Sequence, residues 1–137
     1  MPAARWLILA GLVLFTASLL LPAVDGAGFP AQSGLDMLQR GAGAWRDQVY
    51  AWYANPALGV SLLACWFSRF RTALVMAALA MLLALSSFTA ATMAENAGRS
   101  VPEFSFAIGF YVWLGAILFA VLAAASGIYK VSVTARV

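Results

Sequence analysis

Five carboxylates, one thiol and a set of hydroxyls inside apolar runs are the residues from which this chain could build chemistry. The acids are Asp25, Asp36, Asp47, Glu95 and Glu103; the thiol is Cys65; the hydroxyls are Thr16, Ser18, Ser61, Ser68, Ser86, Ser87, Thr89 and Ser126. A serine nucleophile needs a base within reach, and no histidine exists anywhere in the chain. One cysteine without histidine makes no metal site and no intrachain disulfide. Haem ligation loses its usual imidazole for the same reason. The acids could meet as a paired-carboxylate site, but no spacing signature joins them. Loop-to-loop ion pairing is the simpler use, with Asp25 and Glu95 placed as neighbours of Arg46 or Arg99. H-E-x-x-H, G-x-S-x-G and Walker patterns are absent.

The elements that must carry these residues are apolar. Trp6–Leu21, Trp52–Ser68, Thr72–Thr92 and Ser105–Tyr129 contain no Asp, Glu, Lys, Arg or His. Of 137 residues 64% are hydrophobic and 9% charged, against about 25% charged in soluble domains. Charge-free runs of about 17–25 residues fit membrane-spanning helices, and lipid tolerates only helices or closed barrels. The fold class read from the sequence is an all-α integral membrane protein. It is a four-transmembrane-helix bundle with a short interfacial helix in its first outer loop. One domain covers 1–137: spans at about 6–22, 52–68, 72–92 and 105–129, outer loops at 23–51 and 93–104, and a tail at 130–137.

The charges sort by side. Arg5, Arg69, Arg71, Lys130 and Arg136 fall at one kind of helix end; Asp25, Asp36, Arg40, Arg46, Asp47, Glu95, Arg99 and Glu103 fall at the other. One side carries +5 and the other −2, which together make the net +3. By the positive-inside rule Arg5, Arg69, Arg71 and Lys130 are cytoplasmic topology anchors. Both termini are then cytoplasmic, in a multi-pass protein of the bacterial inner membrane. The basic residues are spread singly, so the pI near 9.5 points to no nucleic acid. The same emptiness excludes function classes. Proton-coupled transporters place an ionisable group inside the membrane, as small drug exporters do with a buried glutamate, and disulfide-handling four-helix enzymes need cysteine pairs.

Local signals refine the elements. Trp6–Leu21 also fits a signal h-region, but Val24 and Gly26 make a poor cleavage pair, so it is read as a retained first span. Ser33-Gly34-Leu35-Asp36 is a capping box that starts a helix over Gly34–Arg40. A second stretch from Ala44 puts Trp45, Val49, Trp52 and Tyr53 on one face, a helix lying on the outer surface. Asn55-Pro56 reads as a cap followed by a first-turn proline, leaving a second span of only 13 residues, Pro56 to Ser68. That run, about 20 Å of helix, is too short for about 30 Å of hydrocarbon. Trp52 and Tyr53 must join the span, or the Arg69-Phe70-Arg71 turn must be drawn in with its arginines reaching outward.

Ala73, Ala77, Ala80 and Ala84, with Gly115, Ala116, Ala120 and Ala124, form small-residue seams for helix packing or for a partner. Trp45, Trp52, Tyr53, Phe110, Tyr111 and Trp113 form an outer interfacial rim. No cofactor and no metal is expected. Membrane lipids and other membrane subunits, in a hetero- or homo-oligomer, are the expected partners. The sequence therefore reads as a non-catalytic inner-membrane protein acting through protein–protein contacts, an accessory subunit or assembly factor of a larger complex. The alternatives are an immunity-type protein against a membrane-acting toxin, and a carrier or channel for a small neutral or lipophilic substrate. An interfacial lipid enzyme is the least favoured.

Overall fold

A computed structural model describes residues 2–26, 29–40, 50–96 and 104–134, with the backbone alone at 2–3, 29, 89–96 and 104. Four helices of the expected order dominate it: α1 (Pro2–Leu20), α3 (Ala54–Trp66), α4 (Phe70–Asn96) and α5 (Ile108–Thr134). A short α2 (Gly34–Arg40) lies between the first two. Phe70–Phe88 and Ile108–Thr134 are long and apolar enough to cross a membrane by length and composition, and Ala4–Leu20 is a shorter apolar helix.

The all-α reading needs one correction. Strands β1 (Pro22–Gly26), β2 (Phe29–Ser33) and β3 (Phe104–Phe106) form an antiparallel sheet in the order β2-β1-β3. The central strand pairs Val24 with Phe106 and Asp25 with Ser105, and its hairpin partner is shifted by irregularities between Pro22 and Val24 and between Val24 and Gly26. Chain leaving α1 and chain entering α5 meet at the same end, and strand pairing satisfies backbone groups that a loop would leave orphaned. Phe104 and Phe106 therefore belong to a strand, and the last helix starts at Ile108. At its other end that helix runs on through Val131 to Thr134, where a tail was expected.

Helix α1 packs chiefly on α5, α5 also on α4, and α4 on α3. Small side chains make this possible. Ala73, Ala77, Ala80, Ala84, Ala116, Ala120, Ala123 and Ala124 have no exposed surface and surround Ile117, Leu58 and Leu62. Alanine lets backbones approach closely, which increases dispersion contacts along the whole seam. The outward faces are large and apolar: Leu63, Val75 and Leu82 are more than 60% exposed (61%, 65% and 68%).

Between α3 and α4 the turn is short. Arg69 N–H donates to Ala64 O at 2.8 Å and Ser68 N–H to Cys65 O at 3.0 Å. Ser68 sits at φ 61°, the left-handed position glycine normally fills in this helix stop.

Candidate functional site at the sheet end

Three polar side chains tie the sheet end of the bundle together. Trp52 lies in a 3-10 turn, Tyr50–Tyr53, that runs straight into α3. Its indole N–H donates to Leu38 O of α2 at 2.9 Å. Asn55 Nδ2 donates to Trp52 O at 3.0 Å, and Asn55 Oδ1 accepts from Trp113 Nε1 of α5 at 2.9 Å. One chain of bonds thus joins α2, the 3-10 turn, α3 and α5. Indoles carry an apolar body and a donor that needs a partner when covered, and a carboxamide can donate and accept at once.

This overturns the reading of Asn55 as a cap. The N-cap position of α3 is Tyr53, which makes no side-chain cap bond. Pro56 falls in the first turn, where a missing N–H costs nothing. Of the expected surface helix, residues 44–49 lie outside the described ones, and 50–53 form the 3-10 turn. Trp52 is anchored to α2 instead of lying free on a surface.

Beside this chain of bonds lies an aromatic cluster. Phe106 stacks on Phe110 with centroids 4.1 Å apart and planes at 19°, while Phe88 meets both edge-on at 5.1 and 5.4 Å. Trp113 leans on Phe110 at 5.7 Å, and Tyr53 meets Trp52 edge-on. Of the expected rim, Phe110 is buried, Trp52, Tyr53 and Trp113 are half-buried, Tyr111 is exposed, and Trp45 lies outside the described residues. The rim therefore knits the fold more than it faces outward.

The capping box is present in full. Ser33 Oγ and Ser33 N–H both donate to Asp36 Oδ2, at 2.7 and 3.1 Å, and Asp36 N–H donates to Ser33 Oγ at 3.2 Å. The Ser33 hydroxyl, then its amide, hold the Asp36 carboxyl below its ordinary value of 3.8. Asp25 is exposed, and its backbone carbonyl accepts from Ser105. Asp47, Glu103, Arg46 and Arg99 lie outside the described residues, and Glu95 is described only by its backbone, so the expected ion pairs lie outside the described residues. Among the described residues no group of three His, Cys, Asp or Glu side chains could hold a metal ion.

Hydroxyls within the helices bond to carbonyls. Thr16, Ser18, Ser86 and Ser126 donate within their own helices, to Leu12, Phe15, Leu83 and Ala123. Ser61, fully buried, donates from α3 to Ala73 O of α4 at 2.9 Å. Among the described residues no buried side-chain nitrogen or oxygen lacks a partner.

The seam residues face inward. Ala73 to Ala84 and Ala116 to Ala124 are enclosed by the chain's own helices, and Gly115 is half-buried with Leu14 beside it. They hold helices together and leave no room for a partner there. Arg5, Arg69, Arg71 and Lys130 are all exposed, at the end opposite the sheet. Three of the described glycines mark close crossings, and a Cβ on Gly34 would run into Ser18 O of α1. A Cβ on Gly109 would lie 2.7 Å from Pro22 O, where β1 passes over α5; a Cβ on Gly127 would run into the Phe70 ring. Comparison with protein families, with curated proteins and with solved structures finds no match for this chain.

Proposed function

We propose that this chain is a four-span, non-catalytic membrane protein that works through its outward helix faces. It is an accessory subunit or assembly factor of a larger complex in a bacterial inner membrane, with both termini cytoplasmic. The observation that carries this reading is the combination of an inward-looking polar inventory with apolar outer faces. Helix hydroxyls are spent on carbonyls of the same chain. Outside stand Trp6, Val13, Leu63, Val75, Leu82 and Leu122, all large and exposed. Only about a fifth to two fifths of the two long apolar windows is buried within the chain (22% and 39%). A core helix of a soluble protein is mostly covered; these need lipid or a partner helix to cover them.

The charge partition supports the orientation, because the described residues at the end away from the sheet are basic without acids. The α4 and α5 seams no longer support partner binding, since the chain itself fills them. Recognition moves to the exposed faces of α3 and α4. A photo-crosslinking residue at Leu63 or Val75 tests this in the native membrane. A single stoichiometric crosslinked partner protein is expected. Crosslinks to lipid alone, at both positions, would remove the accessory-subunit reading while leaving the membrane reading in place.

A further inference from the structure

We infer that the α3–α4 turn is a binding site for the headgroup of an anionic phospholipid, an inference that rests on the membrane reading above. Arg69 and Arg71 are exposed on either side of Phe70. The Phe70 ring occupies the notch that Gly127 leaves on α5, so tightly that a Cβ there would meet the ring. That contact pins the turn to α5, with Arg69 and Arg71 both exposed at that end of the bundle. Lys130, also exposed, follows Gly127 by three residues and shares its side of α5. Arg5 reaches the same end. Gly11 of α1 lies against Ala116 of α5 and Leu62 of α3, and Arg5, near the start of α1, is on the turn's side of that crossing.

The backbone amides of the turn are used within the chain. Phe67, Ser68 and Arg69 donate to Leu63, Cys65 and Ala64. A headgroup would therefore be held by side chains, and an arginine fork binds phosphate oxygens in pairs. No described acid lies at this end; Asp25 and Asp36 are at the other. The neighbours choose the source of the phosphate. Trp66, Phe67, Trp6 and Tyr129 stand exposed beside the cations, at 59%, 70%, 71% and 71%. A soluble anion would match the charge and leave these rings in water. A phospholipid covers both, with phosphate on the arginines and glycerol and acyl carbons on the rings.

The test uses the full chain purified in detergent and titrated with phosphatidylglycerol or phosphatidylcholine, read by native mass spectrometry. Juxtamembrane cations contribute about 1 kcal/mol each, so the anionic lipid is expected to bind about tenfold tighter or more. Arg69→Gln with Arg71→Gln is expected to remove most of that preference. Gly127→Ala, which moves Phe70 at constant charge, is expected to weaken the anionic lipid and leave the zwitterionic one unchanged. Arg40→Gln, at the sheet end, is expected to change neither. Equal affinity for the two lipids overturns the inference, as does an Arg40→Gln effect equal to that of the turn arginines, or equal displacement by inorganic phosphate. Failure of the membrane reading shows separately, as a chain that stays dispersed when detergent is removed.

Discussion

At Asn55 one carboxamide serves two segments, and the bundle's sheet end depends on it. Losing it orphans the Trp113 donor and the Trp52 carbonyl, which is expected to cost about 1–3 kcal/mol. A double-mutant cycle of Asn55→Ala with Trp113→Phe, read by denaturation in detergent, is expected to show coupling of about 0.5–1.5 kcal/mol. Strict additivity would mean the 2.9 Å bond contributes nothing. Asp36 makes a second residue-scale prediction. Its carboxyl is held low by Ser33, so the folded value lies below the unfolded one. The box's stabilisation is then present above the ordinary 3.8 and is lost as pH falls through the lowered folded value. Trp52 bonds to α2 at Leu38, so its fluorescence should report α2 loosening in that acid window. Asp36→Asn should flatten the transition; an unchanged profile would assign it to another group.

Helix ends, more than helix interiors, carry the element-scale constraints. Ser68 adopts φ 61° to close α3, a conformation that costs an L-residue about 1–2 kcal/mol and glycine little. Ser68→Gly is therefore expected to raise stability, by about 1 kcal/mol once glycine's extra chain entropy is counted. Gly109→Ala should do the opposite. Its methyl would press on Pro22 O and Leu21 O, 2.7 and 2.8 Å away, and backbone cannot yield as a side chain can. A loss of about 1–3 kcal/mol is expected, as for other overpacked sites. Thermal unfolding of both variants in one detergent checks the pair. A Gly109→Ala protein as stable as the parent would show that β1 does not press on α5.

Over the whole molecule, helix lengths and charges pull in the same direction. Helix α3 has 13 residues and α5 has 27, about 20 and 40 Å. The Asn55–Trp113 bond sets the start of α3 level with the sixth residue of α5. The short helix thus begins more than a turn below the long one, and the 3-10 turn fills the step. Its far end stops at the turn that carries Arg69 and Arg71. The proposed orientation makes a further prediction. In a Cys65→Ala background, an impermeant maleimide applied to intact cells should label Ser105→Cys and not Ser68→Cys, with Ser68→Cys reacting once the cells are opened. Labelling of both from outside would sink the four-span topology.

What the sequence determined by itself is whatever depends on composition and near neighbours. The apolar runs, the capping box from Ser33 to Asp36 and the alanines at every third or fourth residue arise among near neighbours, where burial and backbone geometry act locally, and the partition of charges follows from where the runs end. Helix boundaries drifted where the ends are set by contacts: α4 starts at Phe70 because its ring fits Gly127, and α5 waits until Ile108 because Phe104–Phe106 pairs with β1. The tertiary structure alone decided the sheet, whose strands are short, carry proline or lack alternation, and come together across some 80 residues (Asp25 with Ser105). It alone made Asn55 a cross-link, because the signal for an acceptor lies in an indole 58 residues away. It also turned the alanine seams inward. A stripe of small residues records that something must approach closely, and only the folded chain shows that its own helices do.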